Sequence, residues 1–289
     1  MNPLQTYRPG GISVTDMSAQ LWCEKQLEFS LMFGRKKTKG MKRGNKIHKE
    51  LHEEIVEVIE VEPKTFADYM ALKLFNCLSG TEQIRSEGMT RELPVWGKVN
   101  SLFVSGMIDE LNAGSGSVAI LDTKTRTKPT MPSEAQKRTT RFQLMVYRHL
   151  LDSLKSGRFT HVDFMEHYMF TSTTVVSDEF RSQMADTGNR IEADVLSLAK
   201  RTFESMNMLP SVADDMEVRY EYQETRDIIG SDMFRFDHSD FAKTCDFVEE
   251  FWTGKRPARK VSENNKWKCS FCEFKGRCIL KDNTLRDWF

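Results

Sequence analysis

Two predicted strands carry the residues best suited to catalysis, Asp109, Asp122 and Lys124. They lie in the segment 104–126, VSGMIDELNAGSGSVAILDTKTR, where a turn rich in Gly and Ser separates two apolar runs. The pattern is typical of paired antiparallel strands, and it places Asp109 opposite or diagonal to Asp122, within roughly 7–8 Å. Two carboxylates at that separation can bind one Mg²⁺, which lowers the pKa of a bound water and offsets the charge of a phosphate. The predicted chemistry is metal-dependent phosphodiester hydrolysis, with Lys124 orienting the water or stabilising the developing oxyanion.

The same spacing of an acid and a lysine is common on surface hairpins, where scattered charges carry no chemistry. Two observations favour a site. Asp122 follows the apolar run VAIL, which is typical of a central strand covered on both faces, so its carboxylate should be partly buried. On the next predicted helix, Gln143 and Tyr147 share a face with three leucines. Because polar groups on a core-facing stripe need partners, this pair is predicted to position a phosphate or the attacking water; an ordinary buried Gln and Tyr are the alternative.

These motifs, taken in order, resemble the PD-(D/E)XK nucleases of the RecB type. The motifs are G-x-x-D at Gly106–Asp109, D-x-K at 122–124 and Q-x-x-x-Y at 143–147. His48, in RGNKIHKELH, matches a histidine that is a metal ligand in that group. The resemblance implies a mixed central sheet flanked by helices, and Mg²⁺ or Mn²⁺ held by His48, Asp109, Asp122 and the backbone carbonyl of Thr123. Asp122 stands where many relatives have Glu, and both residue types bind metal.

Six cysteines divide into two groups by their surroundings. Three lie near the C-terminus among basic residues, in the pattern C-x2-C-x5-C: Cys269, Cys272 and Cys278. Cys23 is the candidate fourth ligand. The N-terminus has no secretory or mitochondrial leader pattern, so a reducing compartment and thiolate ligands are expected. Four thiolates suit either zinc or an iron–sulfur cluster. Cys77 and Cys245 sit among apolar residues and are predicted core residues.

The resemblance distinguishes between zinc and an iron–sulfur cluster. One cysteine before the nuclease motifs and three after them resemble the iron–sulfur clasp of RecB-like nucleases such as AddB, Cas4 and the exonuclease V (Dem1) family. The opening SVTDMSAQLWCEKQLEF is most similar to exonuclease V. This implies a [4Fe–4S] cluster that joins the chain ends, in a single-stranded DNA exonuclease of DNA repair or genome maintenance. The alternatives are a Cas4-like nuclease that trims DNA ends and a non-catalytic nucleic-acid-binding iron–sulfur module.

Basic residues are clustered although the net charge is zero. Three segments, 35–46, 124–141 and 255–268, hold 19 of the 42 Lys and Arg residues. Such clusters are typical of phosphate binding, and solvated loops are the alternative. Candidate contacts to single-stranded DNA are Arg43, Lys46, Arg126, Arg138 and Arg141. Trp267 and Phe271 could stack on bases, or cover the core or the cluster. A single-strand DNA-binding protein is a candidate partner, and a monomer is expected.

The chain is predicted to form a single nuclease domain, residues 1–289. Its parts are a flexible arm (1–12), a helical region (13–80), the catalytic core (81–171), a helical and strand extension (172–253) and a cysteine-rich clasp (254–289). No apolar run is long enough for a membrane span, and the nucleus is the expected compartment, with mitochondrion or cytoplasm as alternatives.

Four secondary-structure predictions bear on the comparison below. They are one helix from residue 13 to about 33 that contains Cys23, a helix over 45–59 with the stripe Ile47, Leu51, Ile55 and Val58, a strand over 161–171, and one long helix over 178–208.

Overall fold

A seven-stranded mixed sheet forms the centre of the protein. The computed structural model describes residues 2–54, 61–114 and 116–278. The strands are β1 (Ile12–Ser13), β2 (Met89–Val99), β3 (Leu102–Ala113), β4 (Ser117–Arg126), β5 (Ser211–Val212), β6 (Asp215–Tyr222) and β7 (Ile228–Arg235). β2, β3 and β4 are antiparallel neighbours, β6 runs parallel to β4, and β7 pairs antiparallel with β6.

Helices flank this sheet, as predicted. They are α1 (Pro3–Tyr7), α2 (Val14–Trp22), α3 (Glu24–Phe33), α4 (Lys39–Glu53), α5 (Phe66–Glu87), α6 (Glu134–Lys155), α7 (His161–His167), α8 (Asp178–Asp186), α9 (Val195–Asn207) and α10 (His238–Trp252), with a 3₁₀ helix over Glu263–Phe271. α5 and α6 pack against β2, and α4 packs against β4. Within the described ranges, no helix combines the length and apolar character that crossing a bilayer requires. The mixed α/β prediction is therefore confirmed.

β3 and β4 separate part-way along their length, and this separation creates room for a site. Their ladder covers only Glu110–Ala113 on β3, and Val104 and Ser105 of β3 pair with β1 instead. Beyond Leu121, β4 continues beside β6 alone. Extending the ladder by one residue sets Asp109 opposite Asp122, where the strands begin to diverge. Two carboxylates thus face each other across a gap that neither strand fills.

The core explains why α6 lies where it does. Its stripe of Tyr147, Leu150, Leu151 and Leu154 is buried, which confirms the predicted core-facing side. Gly97 of β2 allows the close approach, because a Cβ there would lie 2.9 Å from Leu150. In β4, Val118, Ile120 and Leu121 are buried, as expected of a central strand. Packing of the leucines against the sheet therefore also positions Gln143 and Tyr147 of α6 beside the sheet.

The first predicted helix is two helices, and the break falls at Cys23. A capping box between Ser13 and Asp16 begins α2, as the sequence indicated. Cys23 then adopts an extended conformation (φ −167°, ψ 114°) before α3 starts at Glu24. The prediction of a continuous helix was wrong because tertiary contacts of Glu24 hold the second helix in its own direction.

Other segments also differ from the predictions. Residues 161–167 are a helix and not a strand, because Thr160 and Asp163 form a capping box and the buried pair Phe164 and Met165 anchors it. The segment 178–208 holds two helices, separated around Gly188 (φ 82°). The predicted flexible arm holds α1 and β1, with a buried Ile12 paired to β3.

The predicted helix over 45–59 begins earlier, at Lys39, because Thr38 caps it. Part of the basic segment 35–46 therefore lies on a helix. Of the predicted stripe, Ile47 is buried, while Ile55 and Val58 lie outside the described residues.

Candidate metal centre and cysteine site

Asp109 and Asp122 form the centre of the candidate site. Asp122 is only 1% exposed, and the Oδ2 atoms of both residues are buried with no hydrogen-bond partner among the described residues. Burial, followed by the charge of Asp122, raises the pKa of Asp109 well above its usual value. Buried polar atoms normally find partners, and two unsatisfied carboxylate oxygens are ligands that suit a cation.

Lys124 accompanies the acid pair. Its Nζ lies 2.8 Å from Asp122 Oδ1. Burial lowers the pKa of Lys124, but the charges of Asp122 and Asp109 outweigh burial and leave its pKa above the usual value. The side chain is therefore a fixed ammonium that can donate hydrogen bonds and stabilise negative charge, and it is a poor proton acceptor.

His48 reaches the acid pair from α4. Its Nδ1 lies 3.5 Å from Asp109 Oδ2, and the ring also contacts the Thr123 backbone. Burial, followed by the charge of Lys124, lowers the pKa of His48, so the imidazole is neutral at neutral pH and keeps a lone pair. His48 thus lies beside Asp109 and the backbone of buried Thr123, two of the other predicted ligands. Asp122 also lies near His48, but it is not in the group of described ligand atoms that lie within 4.8 Å of one another.

Two glycines let α4 come close enough for this contact. A Cβ at Gly44 would lie 2.9 Å from Thr125 Oγ1, and one at Gly40 would lie 3.0 Å from Thr127 Cγ2. Buried Gln223 ties the two elements together, because its Nε2 donates to the Gly40 carbonyl (3.0 Å) and to Thr125 Oγ1 (2.9 Å). The position of α4 depends on this contact with β4, and so does the position of His48 beside Asp109.

Glu92 is a third carboxylate at the site, and sequence reasoning missed it. Ligand atoms of Glu92, His48 and Asp109 all lie within 4.8 Å of one another. Glu92 has a left-handed backbone conformation (φ 55°), which is costly for a residue with a side chain. It interrupts the β2–β3 ladder at the position opposite Asp109. The sequence RELPVWG contains no signal for such a conformation, because it is that of an ordinary strand with one acid.

Gln143 and Tyr147 also lie at the site, on the α6 stripe. Tyr147 is 5% exposed and is hydrogen-bonded to the Gln143 side chain. Burial, followed by the charge of Asp109, raises the pKa of Tyr147 to about 12, so its hydroxyl stays protonated. The pair offers an amide and a phenol beside two carboxylates and an ammonium.

Gly106→Ala is expected to disturb this arrangement. A Cβ at position 106 would lie 2.6 Å from Tyr147 Cε1 and 2.7 Å from Val14 Cγ2, so α6 and α2 must shift. Overpacking of this kind costs about 1–3 kcal/mol of unfolding free energy. Denaturant unfolding measures it, with Gly10→Ala as the matched control because nothing lies within 4 Å of a Cβ there. Equal stability of the two variants would contradict this account of Gly106.

The donor set fits a hard divalent cation. It offers carboxylate oxygens, a backbone carbonyl and one neutral imidazole, which are ligand types that Mg²⁺ and Mn²⁺ accept. The unsatisfied Oδ2 atoms of Asp109 and Asp122 are the observation that favours a cation over a set of satisfied surface charges.

The four predicted cysteine ligands line one cavity. Cys23, Cys269, Cys272 and Cys278 surround a volume of about 110 Å³, together with rings that include Trp22 and Phe29. The extended residue between α2 and α3 thus meets a segment roughly 250 positions later in the chain. Cys77 and Cys245 are buried in the core, as predicted. Four thiols around one cavity fit a metal ion or a cluster.

Protein contacts also join the two chain ends beside this cavity. Glu24 is 3% exposed, and both its oxygens accept from Arg256, at 2.6 and 2.7 Å. Gln20 and the Arg259 backbone N–H donate to the same carboxylate, each at 2.7 Å. This network satisfies a buried charge completely, and it brings the C-terminal segment to α3 independently of the cysteines.

Comparison with known proteins decides the family. A family model described as "Exonuclease V - a 5' deoxyribonuclease" matches residues 2–117, 113–207 and 193–280. The chain belongs to the exonuclease V family. Exonuclease V of Danio rerio is 29% identical over 98% of this chain and 73% of its own length. Mitochondrial exonuclease V of Candida dubliniensis is 29% identical over 24% of this chain and 11% of its own length. Among solved structures, that of SSO0001 is similar with a TM-score of 0.37 and 10% identity, covering 91% and 83% of the two chains.

The candidate DNA-binding residues of this exonuclease V family member occupy different environments. Arg141 is held by Asp232 in a two-bond ion pair (2.8 and 2.6 Å). Arg43 and Lys46 are exposed on α4, about 140° and 160° around the helix from His48, so they point away from the metal ligands. Arg126 is partly buried and Arg138 is exposed. Arg141 is therefore already paired and is not available for a DNA phosphate. Arg43 and Lys46 lie on the side of α4 that faces away from the candidate metal centre.

Proposed function

We propose that this protein is a metal-dependent DNA exonuclease with a PD-(D/E)XK core. The observation that carries the proposal is the pair of unsatisfied, buried carboxylate oxygens on Asp109 and Asp122, beside the ammonium of Lys124. Membership of the exonuclease V family supports DNA as the substrate. Hydrolysis of a phosphodiester needs a positive centre for the phosphate and an activated water, and this constellation can supply both.

Each residue has a defined task in the proposed reaction. Asp109, Asp122, His48 and the Thr123 carbonyl would hold Mg²⁺ or Mn²⁺, which supplies Lewis acidity when bound. Lys124 donates to the attacking water or to a non-bridging phosphate oxygen, where negative charge increases as the new P–O bond forms. Gln143 and the Tyr147 hydroxyl lie on α6 to orient the phosphate and the water. The P–O bond to the water oxygen forms and the P–O bond to the leaving sugar oxygen breaks. The attacking water gives up one proton and the leaving sugar oxygen takes up one, so the reaction is balanced in protons.

The four cysteines are proposed to hold a structural [4Fe–4S] cluster. Their convergence on one cavity supports a shared ligand, and zinc is the alternative that the thiolate chemistry allows. Because the cluster joins residue 23 to residue 278, its proposed role is to fix the position of the chain ends.

The same proposal includes specificity for single strands, digestion from a 5′ end and a role in DNA repair. It also includes a monomeric state and a single-strand DNA-binding protein as partner. The family description, which refers to a 5′ deoxyribonuclease, supports the 5′ end. The nucleus is the proposed compartment; the name of the Candida relative favours the alternative, the mitochondrion. A Cas4-like end-trimming nuclease is the rival within the enzymes.

End-labelled DNA tests the proposed activity. Protein purified anaerobically is incubated with Mg²⁺ and three substrates of one sequence, namely a linear single strand, a duplex and a single-stranded circle. Loss of the linear strand alone is expected, with Lys124→Ala as the inactive control. Cutting of the circle would show endonuclease activity, and equal loss of the duplex would contradict single-strand specificity.

Glu92→Gln is expected to weaken cation binding without unfolding the protein. The substitution keeps the shape of the side chain and removes a charge that lies within 4.8 Å of ligand atoms of His48 and Asp109. Removing a group that supports a metal site typically costs about 10–100-fold in metal affinity. Calorimetric titration with Mn²⁺ measures the change, and Glu87→Gln, at an exposed position on α5, is the control. Unchanged Mn²⁺ affinity would exclude Glu92 from the site.

A further inference from the structure

A basic cleft lies outside the metal centre. It has a volume of about 500 Å³ and lies between the end of α2, the start of α6, α10 and the C-terminal segment. Its cationic lining residues are Arg138, Lys243, Arg259, Lys260 and Lys268. They come from the basic segments 124–141 and 255–268 and from α10, so the fold gathers cations that lie far apart in the sequence.

The cations that line the cleft outnumber the acids, five to two. Two acids line it, and one of them, Glu24, is fully engaged by Arg256. Arg138 and Lys243 are exposed and have no ion-pair partner within the described part of the chain. Converging cations repel one another, so this arrangement is stable in the presence of a bound polyanion and costs free energy without one.

Lys268 adds a cation that is nearly buried, with 8% exposure. Its Nζ donates to the Trp22 carbonyl at 3.2 Å and lies 4.4 Å from the centre of the Trp22 ring. Lys268 also lines the cysteine cavity, where its charge interacts with Cys23. Lys268 therefore lies on the wall that separates the cleft from the cysteine cavity.

An exposed aromatic ring beside the cleft favours a nucleic-acid strand over a small anion. Trp267 is 43% exposed and packs edge-on against Trp22, which lines the cleft, and Phe271 is 80% exposed on the same 3₁₀ helix. Base stacking on aromatic side chains contributes about 1–3 kcal/mol per base in single-strand binding proteins. Cations with neighbouring rings are the combination that holds an unpaired strand.

α6 connects the cleft to the metal centre. Arg138 precedes Gln143 by five residues and Tyr147 by nine, or about 7.5 and 13.5 Å along the helix axis. Arg138 points about 140° around the helix from Gln143, so a strand must cross the N-terminal end of α6 to reach both sites. A bound strand of several nucleotides can span this distance.

We propose that this cleft binds the sugar–phosphate backbone of single-stranded DNA several nucleotides away from the cut bond. The proposal rests on the proposed nuclease function for the identity of the strand. Arg138 and Lys243 contact phosphates, and Trp267 stacks on a base beside the cleft.

Binding without cleavage tests this proposal. In an Asp109→Asn background, fluorescence anisotropy measures the affinity of a labelled 20-nucleotide oligo(dT) over a range of salt concentrations. Arg138→Gln with Lys243→Gln is expected to weaken binding at least ten-fold and to reduce the slope of log affinity against log salt by about 1.4, since each lost phosphate contact removes about 0.7. The matched control is Arg190→Gln with Lys200→Gln, two exposed cations that do not line the cleft.

The outcomes separate this proposal from the proposed activity. Unchanged affinity and salt slope in the Arg138/Lys243 variant would contradict the proposal that the cleft binds DNA. An equal loss of affinity in the control variant would contradict it as well. A wild-type protein that cuts no DNA but binds the strand through the cleft would support the cleft and contradict the nuclease proposal. Equal unfolding temperatures of the two double variants verify that the substitutions leave the fold intact.

Discussion

Asp109→Asn is expected to abolish cleavage and, at the same time, to raise the unfolding temperature of the metal-free protein. Burial raises the pKa of Asp109 at the divergence of β3 and β4, and the charge of Asp122 raises it further. An acid whose pKa is raised on folding stabilises the fold at low pH, and that contribution is lost as pH rises through the folded-state pKa. At neutral pH, above the pKa of the unfolded-state carboxyl, Asp109 must take up a proton on folding or remain charged beside Asp122. Either costs free energy of folding, and Asn removes this cost.

The same substitution removes a charged metal ligand. A loss on the order of 10³-fold in kcat/KM is expected, equivalent to about 4 kcal/mol of transition-state stabilisation. Mn²⁺ at about 100 times its Kd should stabilise the wild-type protein by about 2.7 kcal/mol and the variant by much less. Thermal unfolding with and without Mn²⁺, beside single-turnover cleavage, measures both effects.

Asp186→Asn, at an exposed position near the end of α8, is the control for this experiment. It should change neither the metal-free unfolding temperature nor the response to Mn²⁺. If Asp109→Asn lowers the metal-free stability, the carboxylate has a favourable partner in solution, and the repulsion argument is wrong. If the Mn²⁺ response survives in the variant, Asp109 is not a ligand.

Cys272→Ser is expected to remove the bound cluster and to release the C-terminal segment. Hydroxyl is a far weaker ligand than thiolate for iron or zinc, so three cysteines cannot hold the group that four hold. Metal binding at a structural site is also folding free energy, so the variant should lose several kcal/mol of stability. The Glu24–Arg256 ion pair remains, and we therefore expect the 3₁₀-helix segment to loosen before the central sheet.

Absorbance, iron content and limited proteolysis measure this result. Wild-type protein purified anaerobically should be brown, and Cys272→Ser should be colourless and cut first within residues 257–278. Cys77→Ala is the matched control, because Cys77 is fully buried in the core and does not line the cysteine cavity. Zinc without iron in the wild-type protein would contradict the iron–sulfur assignment, and retained colour in Cys272→Ser would exclude this ligand.

Local patterns in the sequence predicted much of the fold and the candidate site. The apolar run before Asp122, the hairpin that opposes it to Asp109 and the leucine stripe below Tyr147 all agree with the structure. Each of these patterns has a short repeat, of two residues in a strand or nearly four in a helix, and it is visible within one element. The convergence of these elements follows once the apolar faces are buried together.

Other features depend on contacts between distant segments. The helix break at Cys23 is held by a network that includes Arg256, and the strand predicted over 161–171 is a helix because capping at Thr160 outweighs the alternation. Arg141 was a candidate DNA contact, but Asp232, from a strand 91 residues later, pairs with it. No periodic pattern within one element reports such partners.

The sequence by itself determined which residue types could do chemistry, namely two acids, a lysine, a histidine and four thiols, and the order in which they occur. Tertiary structure alone decided that Glu92 joins His48 and Asp109, through a left-handed backbone at one strand position. It also decided where β3 and β4 separate around Asp109 and Asp122. The physical reason is that strand divergence and backbone strain are balanced by the packing of the whole sheet, whereas residue identity and spacing are local properties of the chain.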